Sequence, residues 1–287
     1  MQVAFLGTGL LGGAMAERFV RSGASVRVWN RTTAKLEALI QLGARAAASP
    51  AEAVQGAHVV HLALRDDATV NTILAACGDA LSAGTIIVDH TTVLPSGVLT
   101  RAPQLAERGV PYLHAPVFMG PAAALSGGGS MYVSGPSEAF AKVQPHLATM
   151  TGAVHYLGER PDLAAVFKLV GNTMIITINA GLADAFAIAQ ASGVTPIDAH
   201  ALFNAFSPCA TIAVRGKAMA EGDYRASFEL AMARKDVQLM SEAAAAGHET
   251  LHLLPAIAAR MDTLLAAGHA QRDFNVLAVD TIPASRG

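Results

Sequence analysis

Residues 1–15 read Met1-Gln2-Val3-Ala4-Phe5-Leu6-Gly7-Thr8-Gly9-Leu10-Leu11-Gly12-Gly13-Ala14-Met15, and this stretch decides the fold. Val3 to Leu6 form an apolar run without charge, the pattern of a strand buried on both faces. Gly7, Gly9 and Gly12 follow in the spacing G-x-G-x-x-G; Met15, Phe19 and Val20 then recur at helical spacing, and Gly23 closes the segment. Strand, glycine turn and helix make the first half of a dinucleotide-binding βαβ unit. Gly7 permits the tight turn, Gly9 lets backbone N–H groups approach a pyrophosphate, and Gly12 lets the helix lie close on the strand. The helix N-terminus then offers its partial positive charge to the phosphates. Leu10 and Leu11, inside the same turn, belong with the expected cofactor contacts. A plain turn in an alanine- and glycine-rich chain has the same letters; the strand–turn–helix context favours the cofactor.

Outward from that turn, strands and helices alternate. Residues 25–29, 58–64, 85–89 and 110–117 read as strands, with later ones at 131–134 and 154–157. Helices are expected from Thr32 or Thr33 to residue 42, from Pro50, over 67–76, from Pro95 to 108 and over 138–150. The alternation predicts an α/β domain with a mostly parallel, doubly wound sheet. Beyond Pro161 the strand signals stop, and 163–191, 196–205, 231–246 and 255–267 all read as helix. The expected division is a Rossmann dinucleotide-binding domain at 1–161 and an all-helical domain at 162–287. The run 166–188 is strongly apolar, but Lys168, Asn172, Asn179 and Asp184 interrupt it, so a helix buried in protein is expected rather than a membrane span.

Composition excludes other classes. The formal net charge of −2 gives no reason to expect a nucleic-acid partner. Cys77 and Cys209, without C-x-x-C spacing, suggest a reducing compartment and neither a disulfide framework nor structural zinc. No basic segment precedes the first apolar run, so no signal peptide and a cytoplasmic location are expected.

Three positions bear on chemistry. The acidic residue that binds a ribose 2′-hydroxyl at the end of the second strand is missing; Asn30, Arg31 and Thr32 stand there, and Arg31 suits a 2′-phosphate. NADP(H) is therefore the expected cofactor. Lys168 opens the long apolar helix, with Asn172 one turn later on the same face. A lysine there either handles a proton, burial having lowered its pKa, or snorkels its head to water; periodicity does not choose. His248-Glu249-Thr250-Leu251-His252 spells H-E-x-x-H, a zinc-hydrolase motif that requires a helix, yet Gly247 and Pro255 bracket it as a connection. No metal is expected.

The glycine turn, Asn30-Arg31-Thr32, Asp89-His90-Thr91-Thr92, Ala115-Pro116-Val117, Lys168 with Asn172, and the Lys235-Asp236 region of 228–237 occur in the order of the β-hydroxyacid dehydrogenase family. The chain resembles this family, which includes 3-hydroxyisobutyrate dehydrogenases and tartronate semialdehyde reductases and is related to 6-phosphogluconate dehydrogenase, over nearly its whole length. The resemblance implies that Lys168 is the proton donor in reduction, that Asn172 positions substrate, that Thr92 lies near the nicotinamide and that Lys235 reaches the cofactor side. It also implies an all-helical second domain that mediates homodimers or homotetramers. Leu64, ending its strand, joins the expected cofactor residues. The family's substrate clasp, Asp-Ala-Pro-Val-Ser-Gly-Gly, is altered here to His114-Ala115-Pro116-Val117-Phe118-Met119-Gly120. A phenyl ring replaces the serine hydroxyl, leaving Phe118, Met119 and Gly120 as the expected substrate contacts, with backbone N–H groups at Met119 and Gly120. His114 reads as structural and Gly127-Gly128-Gly129 as a loop. The expected activity is NADP-dependent hydride transfer between nicotinamide and a small β-hydroxy acid, semialdehyde or keto acid. Imine reduction on the same fold is the near alternative; family imine reducers usually lack the lysine retained here as Lys168. A zinc hydrolase at His248 and His252, and a catalytically silent NADP-binding module, are the remaining alternatives.

Overall fold

A computed structural model describes residues 2–284. The chain divides into two compact units, Met1–Asn172 and Thr173–Gly287. The division falls later than the expected 161/162 boundary and inside the helix Leu163–Ala191, because the helix's first turns belong to the first unit. There Ala165 enters the core, while Lys168 and Gly171 meet Phe118.

The first unit holds a six-stranded parallel sheet of β1 (Gln2–Leu6), β2 (Ser25–Trp29), β3 (Arg45–Ala46), β4 (Val59–Leu62), β5 (Ile86–Asp89) and β6 (Tyr112–His114), in the order β3-β2-β1-β4-β5-β6. The order reverses between β1 and β4, which makes the crevice beyond their C-terminal ends a topological switch point, where doubly wound folds bind ligands. β1 shows why both faces are covered. Val3 and Phe5 enter one core with Met15 and Phe19 of the helix Leu10–Arg21. Ala4 and Leu6 enter the opposite core with Val70 and Leu74 of Asp67–Cys77 and Val98 of Pro95–Glu107. Alternate side chains of one uncharged strand thus fill two cores, as a doubly wound sheet requires.

The expected strand at 110–117 is broken in two. Ala115 N–H makes the last rung, to the Asp89 carbonyl at 2.7 Å, and Pro116 has no N–H to continue it. The chain leaves the sheet there, and β7 (Val117–Phe118) pairs antiparallel with β8 (Ser130–Val133), itself parallel to β9 (Ala153–Tyr156). Two helical expectations are also corrected. The segment after β2 is a 3₁₀ turn, Thr33–Leu36, followed by the short helix Glu37–Gln41, and Thr32 makes no side-chain cap. Residues 196–205 split into the helix Pro196–Ala201 and a 3₁₀ turn, Leu202–Asn204.

In the second unit, Leu230–Ala246 and Leu254–Ala266 enclose a core with Leu230, Val237, Met261, Leu264 and Val276. Asp184 is buried and accepts hydrogen bonds from the N–H groups of His252, Leu253 and Leu254 at 2.8–2.9 Å, capping the helix Leu254–Ala266. The long helix is long and apolar enough by length and hydropathy to cross a membrane, but its polar residues have protein partners: Lys168 binds the Val117 carbonyl and Asp184 makes that cap. The expected burial is not met within one chain. Val170 and Ile176 are 62% and 67% exposed, and Met174 and Ile175 stand beside them in the open.

Candidate functional site

The glycine turn leaves β1 at the switch point. Gly7 has φ +97°, and a Cβ there would lie 2.3 Å from the Ala63 carbonyl oxygen; a Cβ on Gly12 would lie 2.3 Å from the Gly7 oxygen and 2.8 Å from Ala63 Cβ. Both glycines are therefore required by close approach of turn, helix and the end of β4. Nothing stands within 4 Å of the corresponding point on Gly9, so this part of the turn is open. The helix Leu10–Arg21 that starts there has no side-chain cap and no acidic residue in its first turn. An open turn with an uncapped helix N-terminus fits the pyrophosphate of a dinucleotide. Leu10 is exposed and Leu11 half-buried.

Asn30 does something sequence reasoning missed. Its Oδ1 accepts from Thr8 N–H at 3.2 Å and its Nδ2 donates to the Thr32 carbonyl at 3.0 Å, tying the glycine turn to the end of β2. That leaves Arg31 and Thr32, both exposed, as the groups facing outward from this edge. At the next strands, the Leu64 N–H donates to Thr91 Oγ1 at 3.0 Å. Thr91 is buried; its own N–H goes to Asp89 Oδ1 at 2.9 Å and its carbonyl accepts from His114 Nε2 at 3.0 Å. Thr91 thereby fixes the segment that presents the exposed Thr92. Beneath it lies a buried polar network. Arg101 donates to Asp67 Oδ1 at 2.8 Å and to the Tyr112 hydroxyl at 3.2 Å, and Tyr112 donates to Asp89 Oδ2 at 2.6 Å. Burial and the neighbouring Asp89 push the Tyr112 phenol well above its usual range, so it remains a donor. His114 is fully buried, and its Nε2 bonds the Thr91 carbonyl.

The clasp and the long helix meet at Lys168. Its Nζ donates to the Val117 carbonyl at 2.8 Å and lies 4.1 Å from the centre of the Phe118 ring, over its face. Burial lowers the Lys168 pKa. Phe118 is half-buried, with Tyr132 edge-on at 5.6 Å and an interplanar angle of 86°. Asn172 follows one helical turn after Lys168 and is half-buried. Gly120 precedes the helix Pro121–Ser126, and residues 127–129 form the loop into β8. The first unit thus brings the glycine turn, Asn30 to Thr32, Leu64, Thr92 and the clasp to the C-terminal ends of its strands, and joins Lys168 directly to Val117 and Phe118. Lys235 lies in the second unit, on Leu230–Ala246, and pairs with Asp236 at 2.6 Å.

A file of three histidines, two of them buried and His146 half-buried, runs beside the site, unforeseen from sequence. His90 Nδ1 is 2.7 Å from the Ala115 carbonyl, His90 Nε2 is 2.9 Å from His61 Nδ1, and His61 Nε2 is 2.9 Å from His146 Nε2. The carbonyl only accepts, so one assignment satisfies all three bonds: His90 carries its proton on Nδ1, His61 on Nδ1 and His146 on Nε2. His61 stacks on Phe5 at 4.5 Å. Burial, reinforced for His61 by both neighbouring imidazoles, lowers all three pKa values: His61 well below the usual value, His90 and His146 to about 4.

The H-E-x-x-H match loses its scaffold. Residues 247–253 connect two helices, His248 has φ +62°, and the described residues contain no group of three or more metal-binding side chains.

Residues 2–158 match the model for the NAD binding domain of 6-phosphogluconate dehydrogenase, and residues 163–279 that for the NAD-binding region of NADP-dependent 3-hydroxyisobutyrate dehydrogenase. The chain is 30% identical to glyoxylate/succinic semialdehyde reductase 2 of Arabidopsis thaliana over 83% of its own length and 68% of that protein's. It is 28% identical to 2-(hydroxymethyl)glutarate dehydrogenase of Eubacterium barkeri, over 88% and 85%. A solved reductive aminase from Aspergillus terreus, in complex with NADPH and ethyl levulinate, superposes with a TM-score of 0.90 at 25% identity, covering 98% of each chain.

Proposed function

The chain belongs to the β-hydroxyacid dehydrogenase family and is an NAD(P)-dependent oxidoreductase, and on that premise we propose that it reduces a small carbonyl compound with NADPH, Lys168 acting as general acid. The observation that carries the reading is Lys168 itself, an amine partly withdrawn from water and hydrogen-bonded to the clasp at a strand's C-terminal end. Bound NADPH supplies a hydride to the carbonyl carbon. Lys168 Nζ gives a proton to the carbonyl oxygen as negative charge develops there; the C=O π bond is lost and C–H and O–H bonds form. Its lowered pKa eases that release, and in the oxidative direction the neutral amine takes the proton back. Asn172, one turn away, orients the substrate, and the Thr91 hydrogen bonds hold the Thr92 segment still. NADP over NAD rests on Arg31 where an acidic residue is missing. Consumption of NADPH with a panel of aldehydes, ketones and oxo acids tests the reading; no turnover with any of them refutes it.

Imine reduction is the second reading. It is favoured by the phenyl ring in the clasp and by the likeness to a reductive aminase. A cyclic imine in the same panel decides between C=O and C=N. The reading extends to assembly: a homodimer or homotetramer covers Val170, Met174, Ile175 and Ile176 on the long helix. Light scattering that gives the monomer mass refutes this.

A further inference from the structure

We infer that Gly171 is a specificity-determining residue: by having no side chain it seats the Phe118 ring against the Lys168 ammonium, and the seated ring selects uncharged carbonyl substrates over small oxo acids. The inference rests on the reading of Lys168 as general acid.

Gly171 lies inside the helix Leu163–Ala191, where glycine is less favourable than alanine. Its φ is not in the left-handed region, so no backbone conformation demands glycine there. The Phe118 ring does. A Cβ at position 171 would stand 2.3 Å from Phe118 Cζ and 2.6 Å from Cε1, contacts that real side chains do not make, and 3.3 Å from Cε2. The far edge of the ring therefore lies against the helix backbone. Lys168 is three residues earlier, hence on the same helix face, and its ammonium covers the ring's face at 4.1 Å. Tyr132 meets the ring edge-on, at 86° and 5.6 Å.

The consequence is chemical. Of the three Lys168 N–H groups, one is committed to the Val117 carbonyl, and the ring face shields a second direction. A substrate oxygen approaches from what remains. A carboxylate seeking the ammonium must displace the negatively polarised ring face and finds no hydroxyl at position 118 to accept it. A neutral carbonyl with an alkyl or aryl flank needs only one N–H and gains by covering phenyl surface.

The test is a double-mutant cycle on substrate preference. Purified wild type, Gly171→Ala, Phe118→Ala and the double variant are assayed with NADPH for kcat/KM on a neutral ketone or aldehyde and on a short oxo acid, with Lys168→Ala in parallel. Wild type is expected to prefer the neutral carbonyl. Gly171→Ala is expected to move that preference at least 10-fold toward the oxo acid, by unseating the ring. In the Phe118→Ala background the same substitution is expected to change preference less than 2-fold, since no ring is left to unseat; this background also relieves the overlap, so the cycle survives if Gly171→Ala alone folds poorly. A wild type that prefers the oxo acid overturns the inference, as does a Gly171→Ala effect equal in both backgrounds. Failure of the underlying reading looks different: Lys168→Ala then retains wild-type kcat.

Discussion

Acidification tests the histidine file, and its effect follows from the geometry. A histidine whose folded pKa is depressed protonates first in the unfolded chain. Stability is therefore full above the ordinary value of 6.5 and is lost as pH falls toward the folded value. With about 4 for His90 and His146 in the folded state and 6.5 as reference, linkage gives a loss of about 2 kcal/mol per imidazole between pH 8 and pH 5. The pair loses about 4 kcal/mol, and His61, also depressed, adds in the same direction. His114 adds to it as well, and Asp89 beside His90 opposes the shift without overcoming burial. Carboxylates do not confuse this window. Asp66, Asp223 and Asp273 are held at about 2, so their stabilising effect is lost only as pH falls below the ordinary carboxylate range. Trp29, the only tryptophan, lies in β2, so urea unfolding followed by its fluorescence reports on the first unit. The unfolding free energy at pH 8, 6 and 5 is then compared with that of His146→Phe, whose new ring replaces an imidazole that lies against Phe19 at 4.2 Å, tilted by 30°. The variant should be less stable at pH 8 but lose about 2 kcal/mol less on acidification. A wild-type change below about 1 kcal/mol from pH 8 to pH 5, or an equal loss in His146→Phe, refutes the neutral-imidazole assignment.

Three further outcomes are expected. Lys168→Ala should lower kcat by roughly 10²–10⁴ with NADPH affinity nearly unchanged, and Lys168→Arg should not rescue it because guanidinium does not release its proton; titration of NADPH fluorescence and steady-state kinetics check both parts. Arg31→Asp should weaken NADPH by roughly 10–100-fold, the equivalent of one charge-assisted hydrogen bond, and leave NADH within a few-fold, as measured by calorimetry. Thr91→Val leaves the Leu64 N–H without its acceptor. It should cost about 1–3 kcal/mol of stability and raise KM for the cofactor more than it lowers kcat; an unchanged cofactor KM would mean that the Thr92 segment needs no anchoring from Thr91.

What was legible in the sequence was local. Val3 to Leu6, the three glycines and the helix behind them announce a strand, a turn and a helix within one short window, and Gly7 and Gly12 are forced by contacts of the kind the motif encodes. The long helix was legible over its whole span, 163–191, because its apolar run has no proline. The break in 110–117 was harder. Pro116 was visible, yet the apolar run around it reads as continuous, and only pairing with β8 shows that Val117 and Phe118 have changed sheets. The sequence places Asn30 on the cofactor side of the turn but does not reveal that its amide bonds the Thr8 N–H and the Thr32 carbonyl. The histidine file was invisible for a plainer reason. His61, His90 and His146 lie in separate elements, and no spacing rule predicts that their ring nitrogens meet. Gly171 carried a faint signal, a glycine without turn context inside a helix; its meaning is the ring of Phe118, which belongs to another element.

The long helix explains why its polar residues survive in so apolar a run. Lys168 is held through Val117 and Phe118, and Asp184 is held through three backbone N–H groups at the start of Leu254–Ala266. Each is an expensive group to place in an apolar helix unless it is used, and each has a defined partner. Between them stand Val170, Met174, Ile175 and Ile176, which the chain itself leaves exposed. An exposed apolar face of that kind marks an interaction surface. Another copy covering it, as proposed above, would rest on the same helix that carries Lys168. On the proposal that another copy covers this face, assembly and proton transfer share one element, and a polar substitution at Ile176 should lower kcat along with the assembled mass; full kcat in a dissociated variant refutes the link.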